Sequence, residues 1–124
     1  MLRFAAALVF LVSASAAQSM TVTAEWGPTK ACFDPKSPPM TIAGSPAGTA
    51  KLAISMADLQ SSFLHGGGTV AVNGGKLPYG AFSYKGPCPP AGERHFYQFT
   101  VKALDAHRKV LTTAKSAKMQ FPPH

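Results

Sequence analysis

Acidic residues are scarce: Asp and Glu number 5 against 12 Lys and Arg in 124 residues, giving a formal net charge of +7. Cysteine occurs twice and tryptophan once. With no Cys-x-x-Cys and no His-x-His spacing, the usual structural zinc patterns are excluded. No serine or threonine sits in a nucleophile elbow, which removes the common hydrolase signature. No apolar run reaches the roughly 20 residues that a spanning helix needs, so no transmembrane segment is expected. The positive charge lacks a stripe. Lys30, Lys36, Lys51, Lys76, Lys85 and Lys102 are scattered, and only Arg108, Lys109, Lys115 and Lys118 lie closer together. A nucleic-acid footprint wants a clustered patch or a motif, so no nucleic-acid partner is expected. A scattered excess suits solubility and loose attraction to anionic lipid or polymer.

What is present begins with a leader. Arg3 gives a short basic start, Phe4 to Val12 is apolar, and the small residues Ala14-Ser15-Ala16-Ala17 follow. This is the layout of a cleaved secretory signal over residues 1–17, leaving residues 18–124 as a single domain. The expected location is secreted and periplasmic. In an oxidising compartment an even cysteine count favours pairing, so a Cys32–Cys88 disulfide is expected. A domain of this size buries only about two thirds of its unfolded surface, and a bridge across so long a loop would add about 4 kcal/mol.

The hydrophobic period is mostly two rather than 3.6, which points to strands. Met20–Trp26, Pro39–Ala43, Lys51–Met56, Thr69–Val72 and His95–Leu104 alternate or are rich in β-formers. Thr113–Phe121 is ambiguous between helix and edge strand, and MADLQSSF (56–63) has room for one helical turn. Gly and Pro punctuate the chain at GSPAGT, HGGG, NGG and GPCPPAG, each read as a turn or loop. Five or six short strands with such connections predict an all-β fold, a small sandwich or partly open barrel with little helix.

Three polar residues border glycine-rich segments. Asp58 follows the strand at 51–56, His65 precedes Gly66-Gly67-Gly68, and His95 opens the longest strand. Tyr97 shares the face of His95 because alternate strand residues point the same way. Two imidazoles and exposed backbone N–H groups suit an anion, and a carboxylate beside a histidine fixes its tautomer. Pro87, Pro89 and Pro90 stiffen the loop before His95, so little order has to be gained on binding. A two-histidine, one-carboxylate metal site from Asp58, His65 and His95 and a hydrolase using the same groups are the rival readings. The residues favour neither, so no metal, no cofactor and no catalysis are expected.

The stretch YKGPCPPAGERHFYQFTVKALD (Tyr84 to Asp105) resembles the signature of the phosphatidylethanolamine-binding protein family, most closely its bacterial Raf-kinase-inhibitor-like branch. SPP at Ser37, the GSPAGTAKLAISMADLQ segment, LHGGGTVAV and KLPYGA resemble further family elements in the family's order. The resemblance implies a β-sandwich with an anion pocket at one end. It matches Asp58 to an acidic pocket position, His65 and His95 to two pocket histidines, Gly86 and Pro87 to the pocket floor, and Tyr97 to the tyrosine after the second histidine. Two departures stand out: Gln60 replaces a second acidic residue, and Phe63 is the nearest aromatic before His65. The segments around the Gly86 loop and after Leu104 are also short, so the chain looks like a minimal version. The expected ligand is an anionic small molecule, phosphate or a phospholipid head group. The alternative is a protein-interaction or inhibitor module acting on a protein partner, with a vestigial pocket.

Overall fold

The structure is a computed structural model that describes residues 3–10 and 19–123; the expected cleavage region at residues 14–18 and His124 lie outside the described residues. Among the described residues eight strands form two antiparallel sheets. The smaller contains β1 (Thr21–Ala24), β2 (Met40–Ala43) and β5 (Lys76–Leu77) in the order β1-β2-β5. The larger contains β3 (Lys51–Asp58), β4 (Leu64–Ala71), β6 (His95–Leu104), β7 (Val110–Lys115) and β8 (Met119–Phe121), in the order β4-β3-β6-β7 with β8 also paired to β6. No α-helix occurs among the described residues, and no helix there is long and apolar enough to cross a membrane.

Strict alternation builds the core. On β6 the side chains of Tyr97, Phe99, Val101 and Ala103 are wholly buried, while Phe96 and Lys102 face out. On β3 the inward set is Leu52, Ile54, Met56 and then Asp58. These pack with Val22, Met40, Ile42 and Leu77 of the smaller sheet in one cluster, the interior of a sandwich. Trp26 crosses between the layers. Its ring lies 5.8 Å from Tyr97 and 5.3 Å from Phe121, both edge-on, and its indole N–H donates to the Gln120 carbonyl at 2.8 Å.

Several expectations need correction. HGGG is not a turn but part of β4. Ser55 pairs with Gly67 and Ala57 with Leu64, so His65 and Gly66 together face Met56 across a bulge. Gly66 takes the left-handed backbone (φ +72°) that such an insertion favours. At Gly67 a Cβ would stand 1.7 Å from the Ile54 carbonyl oxygen, so close strand approach demands glycine there. The helical turn expected at 56–63 is the end of β3 and a connection. The ambiguous tail is two strands. β7 pairs with the second half of β6 and β8 with its first three residues. Between them the Ser116 N–H donates to the Phe99 carbonyl at 2.9 Å, and the Ser116 hydroxyl accepts the Phe99 N–H at 3.0 Å.

Candidate functional site

The period of two places Asp58 on the core side of β3, and the β3–β6 register sets it directly across from Tyr97. His95 lies two residues back on the same face of β6, and its Nδ1 meets Asp58 Oδ2 at 2.7 Å. Nδ1 therefore carries the hydrogen and donates it, leaving Nε2 for a ligand. Asp58 Oδ1 accepts the Gln60 N–H at 2.9 Å. Burial pushes the Asp58 carboxyl up, but the hydrogen bonds from His95 and Gln60 and the positive charge of His95 and His65 outweigh it. The net effect is a carboxyl held below its ordinary 3.8.

His65 is fixed by a different partner. The β4 bulge turns it inward, and it is buried. Its Nδ1 donates to the Lys85 carbonyl at 2.6 Å, while the Lys85 N–H donates to the His65 carbonyl at 2.9 Å. The two histidines thus present the same tautomer, each with Nδ1 committed and, among the described residues, no hydrogen bond at Nε2, save that Glu93 Oε2 stands 4.0 Å from Nε2 of His95. Both rings pack on Tyr97, His65 edge-on at 5.4 Å and His95 tilted at 6.4 Å. The Tyr97 hydroxyl is buried close to the Asp58 carboxylate and the Cys88 backbone, and it makes no well-formed hydrogen bond among the described residues. Burial, with a smaller contribution from the Asp58 charge, pushes its phenol up to about 12.

The proline loop is clamped beneath this group. Cys32 and Cys88 are disulfide-bonded, with Cα atoms 4.6 Å apart. The Gly86 N–H donates to the Asp34 carbonyl at 3.0 Å, and a Cβ on Gly86 would lie 2.6 Å from that oxygen. Glycine is required there by close approach of two backbones. Pro87 is among the fully buried side chains. Asp34, which the sequence reading passed over, organises the clamp: it accepts the Lys36 N–H at 3.0 Å and a hydrogen bond from the Tyr79 hydroxyl. Its signal was Asp34-Pro35 two residues after Cys32, a turn beside the bridge. Asp58, His65, His95 and Tyr97 are therefore brought together, and Gly86 and Pro87 adjoin them through Lys85.

Gln60 does not leave a gap where a second acid was looked for. Its side-chain oxygen accepts the Phe96 N–H at 2.6 Å and ties the β3 exit to the start of β6. Phe63 flanks His65 at 4.7 Å and touches Phe33 at 5.4 Å. Phe33 was also missed, although the Cys32–Cys88 pairing alone brings residue 33 to the loop. Among the described residues no cluster of three or more His, Cys, Asp or Glu side chains is arranged to hold a metal ion. Surface hollows of about 430 and 290 Å³ lie elsewhere, the first along β1 and β2 around Thr23 and Lys76, the second around Asp105. What the group offers chemically is two imidazole nitrogens and a phenol in one ring cluster, with a carboxylate bonded to one of the imidazoles.

Comparison with known proteins gives the family and the fold. Residues 13–121 match the family model described as phosphatidylethanolamine-binding protein. The fold is similar to the crystal structure of Escherichia coli YbcL, described as a new member of the mammalian PEBP family: TM-score 0.64, 19% identity, 85% of this chain and 99% of that one covered. It is equally similar to the PEBP homologue CT736 of Chlamydia trachomatis, with TM-score 0.64, 17% identity and coverage of 86% and 99%. No curated protein sequence matches. The family model spans most of the chain, and both structural neighbours carry the same sandwich: the chain belongs to the phosphatidylethanolamine-binding protein family.

Proposed function

We propose that this is a secreted, periplasmic binding protein that holds an anionic small molecule, phosphate or a phospholipid head group, between His65 and His95 without catalysing a reaction. The observation that carries the reading is the pair of histidines packed on the one ring of Tyr97, each with Nδ1 spent inside the protein. A protonated ring so held has one N–H left, at Nε2, and gives it to an acceptor. The buried Tyr97 hydroxyl, which makes no well-formed hydrogen bond among the described residues, gains an acceptor. Asp58 orients His95 through the hydrogen bond at Nδ1. Family membership supports a binding role, and no serine or threonine of the sequence sits in a nucleophile elbow, which favours binding over turnover.

The test is ligand-dependent thermal stability. Phosphate or phosphoethanolamine should raise the melting temperature, and His95→Ala should abolish the rise. At a hundredfold excess over Kd the stabilisation is about 2.7 kcal/mol, easily seen in a domain this small. A melting temperature indifferent to both ligands would retire the anion reading and favour the interaction-module alternative.

A further inference from the structure

Lysines that lie scattered along the chain are gathered by strand register. Paired strand residues share a face, so the outer face of the larger sheet can be read from the pairing. Lys51 stands across from Leu104, Lys102 across from Ala53 and Thr113, and Lys115 across from Thr100. All three lysines are exposed, while Leu52, Val101 and Ala103 beside them point into the core. Each step from Lys51 to Lys102 to Lys115 moves one strand over and two residues along, in the same direction. The lysines therefore form one diagonal row across β3, β6 and β7, with about 7–8 Å between successive positions.

The row has no counter-charge. Among the described residues both ion pairs are made by His95. Of the chain's five acids, Asp34 and Asp58 are buried, Glu25 follows β1 of the smaller sheet, and Glu93 precedes β6 beside His95. Asp105 borders the row, where it shares a hollow of about 290 Å³ with Lys51 and Arg108, but its Oδ1 accepts two N–H groups of its own turn. Hydroxyls flank the lysines instead: Ser55, Thr69, Thr100 and Thr113 occupy paired positions on the same face. Beside Gly67 the face sinks into a trough of about 370 Å³ bordered by Ser55, Thr69 and Lys102. No aromatic ring lies in the row, and Phe96 sits at the other end of β6. Without a stacking platform the face does not suit the bases of a single-stranded nucleic acid. Without an apolar centre it lacks the core of a protein interface. Three charges spread over about 15 Å outreach a single small anion. They suit a chain that repeats its negative charge and carries hydroxyls of its own.

We propose that the outer face of the larger sheet binds a linear anionic polysaccharide, with the polymer's charges on Lys51, Lys102 and Lys115 and its hydroxyls against the serine and threonines. The row and the histidine pair lie on opposite faces of the sheet, so the proposal goes beyond the anion reading and does not need it. The experiment measures binding of the protein, purified from cells expressing the full chain, to polygalacturonate, to uncharged dextran and to single galacturonate. Binding to polygalacturonate alone is expected, and it should weaken as salt rises. Lys51→Gln/Lys102→Gln/Lys115→Gln should lower the affinity about tenfold. Lys30→Gln/Lys36→Gln/Lys76→Gln removes the same net charge from exposed residues outside the larger sheet and should lower it less than about twofold. Both triple variants replace exposed side chains and should melt with the wild type. Failure of the wild type to bind polygalacturonate overturns the proposal. So do equal losses in the two triple variants, which would reduce the attraction to net charge. Tighter binding to oligothymidylate would give the row to a nucleic acid instead, and loss of polymer binding in His95→Ala would place the polymer at the histidines; either result overturns it. Polygalacturonate binding that survives His95→Ala, in a protein that phosphate does not stabilise, would sink the anion reading and leave the row standing.

Discussion

The two ends of the β6 strand each hold an aspartate close to a histidine, and only one of them makes a site. At the far end Asp105 accepts the backbone N–H groups of His107 and Lys109, both at 2.8 Å, in an exposed turn. The histidine two residues on leaves its ring in solvent. At the near end Asp58 and His95 are 37 residues apart, yet their side chains bond directly and Asp58 is buried. The first arrangement is local turn chemistry that any Asp can supply. The second needs two strands in fixed register, a carboxylate on the core side, and a clamped loop opposite. Nearness in sequence produced a turn, and nearness across a sheet produced chemistry.

The clamp is the place to strike hardest. Cys32→Ser/Cys88→Ser should destabilise the protein by about 4 kcal/mol in denaturant unfolding, since the bridge closes a loop with a sequence separation of 56. The loss should be uneven. Amide exchange should speed up around Asp34, Lys85 and Gly86 and change little at Asp105 to Lys109. Equal acceleration at both ends would mean the bridge serves the whole sandwich and not this end.

Next in size is the contrast between the aspartates themselves. Asp58→Ala leaves the His95 Nδ1–H without its partner inside a buried group and should cost about 2 kcal/mol. Asp105→Ala removes exposed bonds to a turn and should cost under about 1 kcal/mol. Equal losses would erase the distinction drawn here. The near end should also announce itself in acid. The folded Asp58 carboxyl is held below the 3.8 it would have unfolded, so its contribution is full above that value and fades as pH falls through the lower, folded one. Unfolding free energy measured from pH 5 downward should therefore drop more steeply for the wild type than for Asp58→Asn. Parallel curves would show that the carboxylate carries no pH-dependent stability.

How much of this contrast was legible beforehand follows from the kind of interaction. The β6 strand was read at its observed bounds, His95–Leu104, because its alternation of buried and exposed positions is unbroken. That alternation also put His95 and Tyr97 on one face. The start of β4 was missed because three successive glycines read as a turn, whereas a bulge and tight strand approach are what require them. The tail was ambiguous because Ala and Lys carry helix propensity, and pairing of both halves to β6 overrode it. The contact of Asp58 with His95 depends on register, and that of His65 with Lys85 on how a loop folds back. Neither quantity is written in a single chain; the candidate residues came from their types and from the Gly86 to Asp105 signature, not from any visible partnership.

The smallest expected effect separates an organised site from a tightly packed strand end. The Tyr97 ring packs against both histidines, and its hydroxyl is buried with no well-formed hydrogen bond among the described residues. A buried hydroxyl without a bond is a cost, so Tyr97→Phe should leave unligated stability unchanged or raise it by up to about 1 kcal/mol. The ring contacts with Trp26 survive the change, which keeps the packing constant. If an anion binds there, the same substitution should shrink the phosphate-induced rise in melting temperature, because the ligand supplied the missing bond. A loss of stability without ligand would mean that the hydroxyl is already satisfied in solution, and the near end would then resemble the far one: polar groups meeting their own needs.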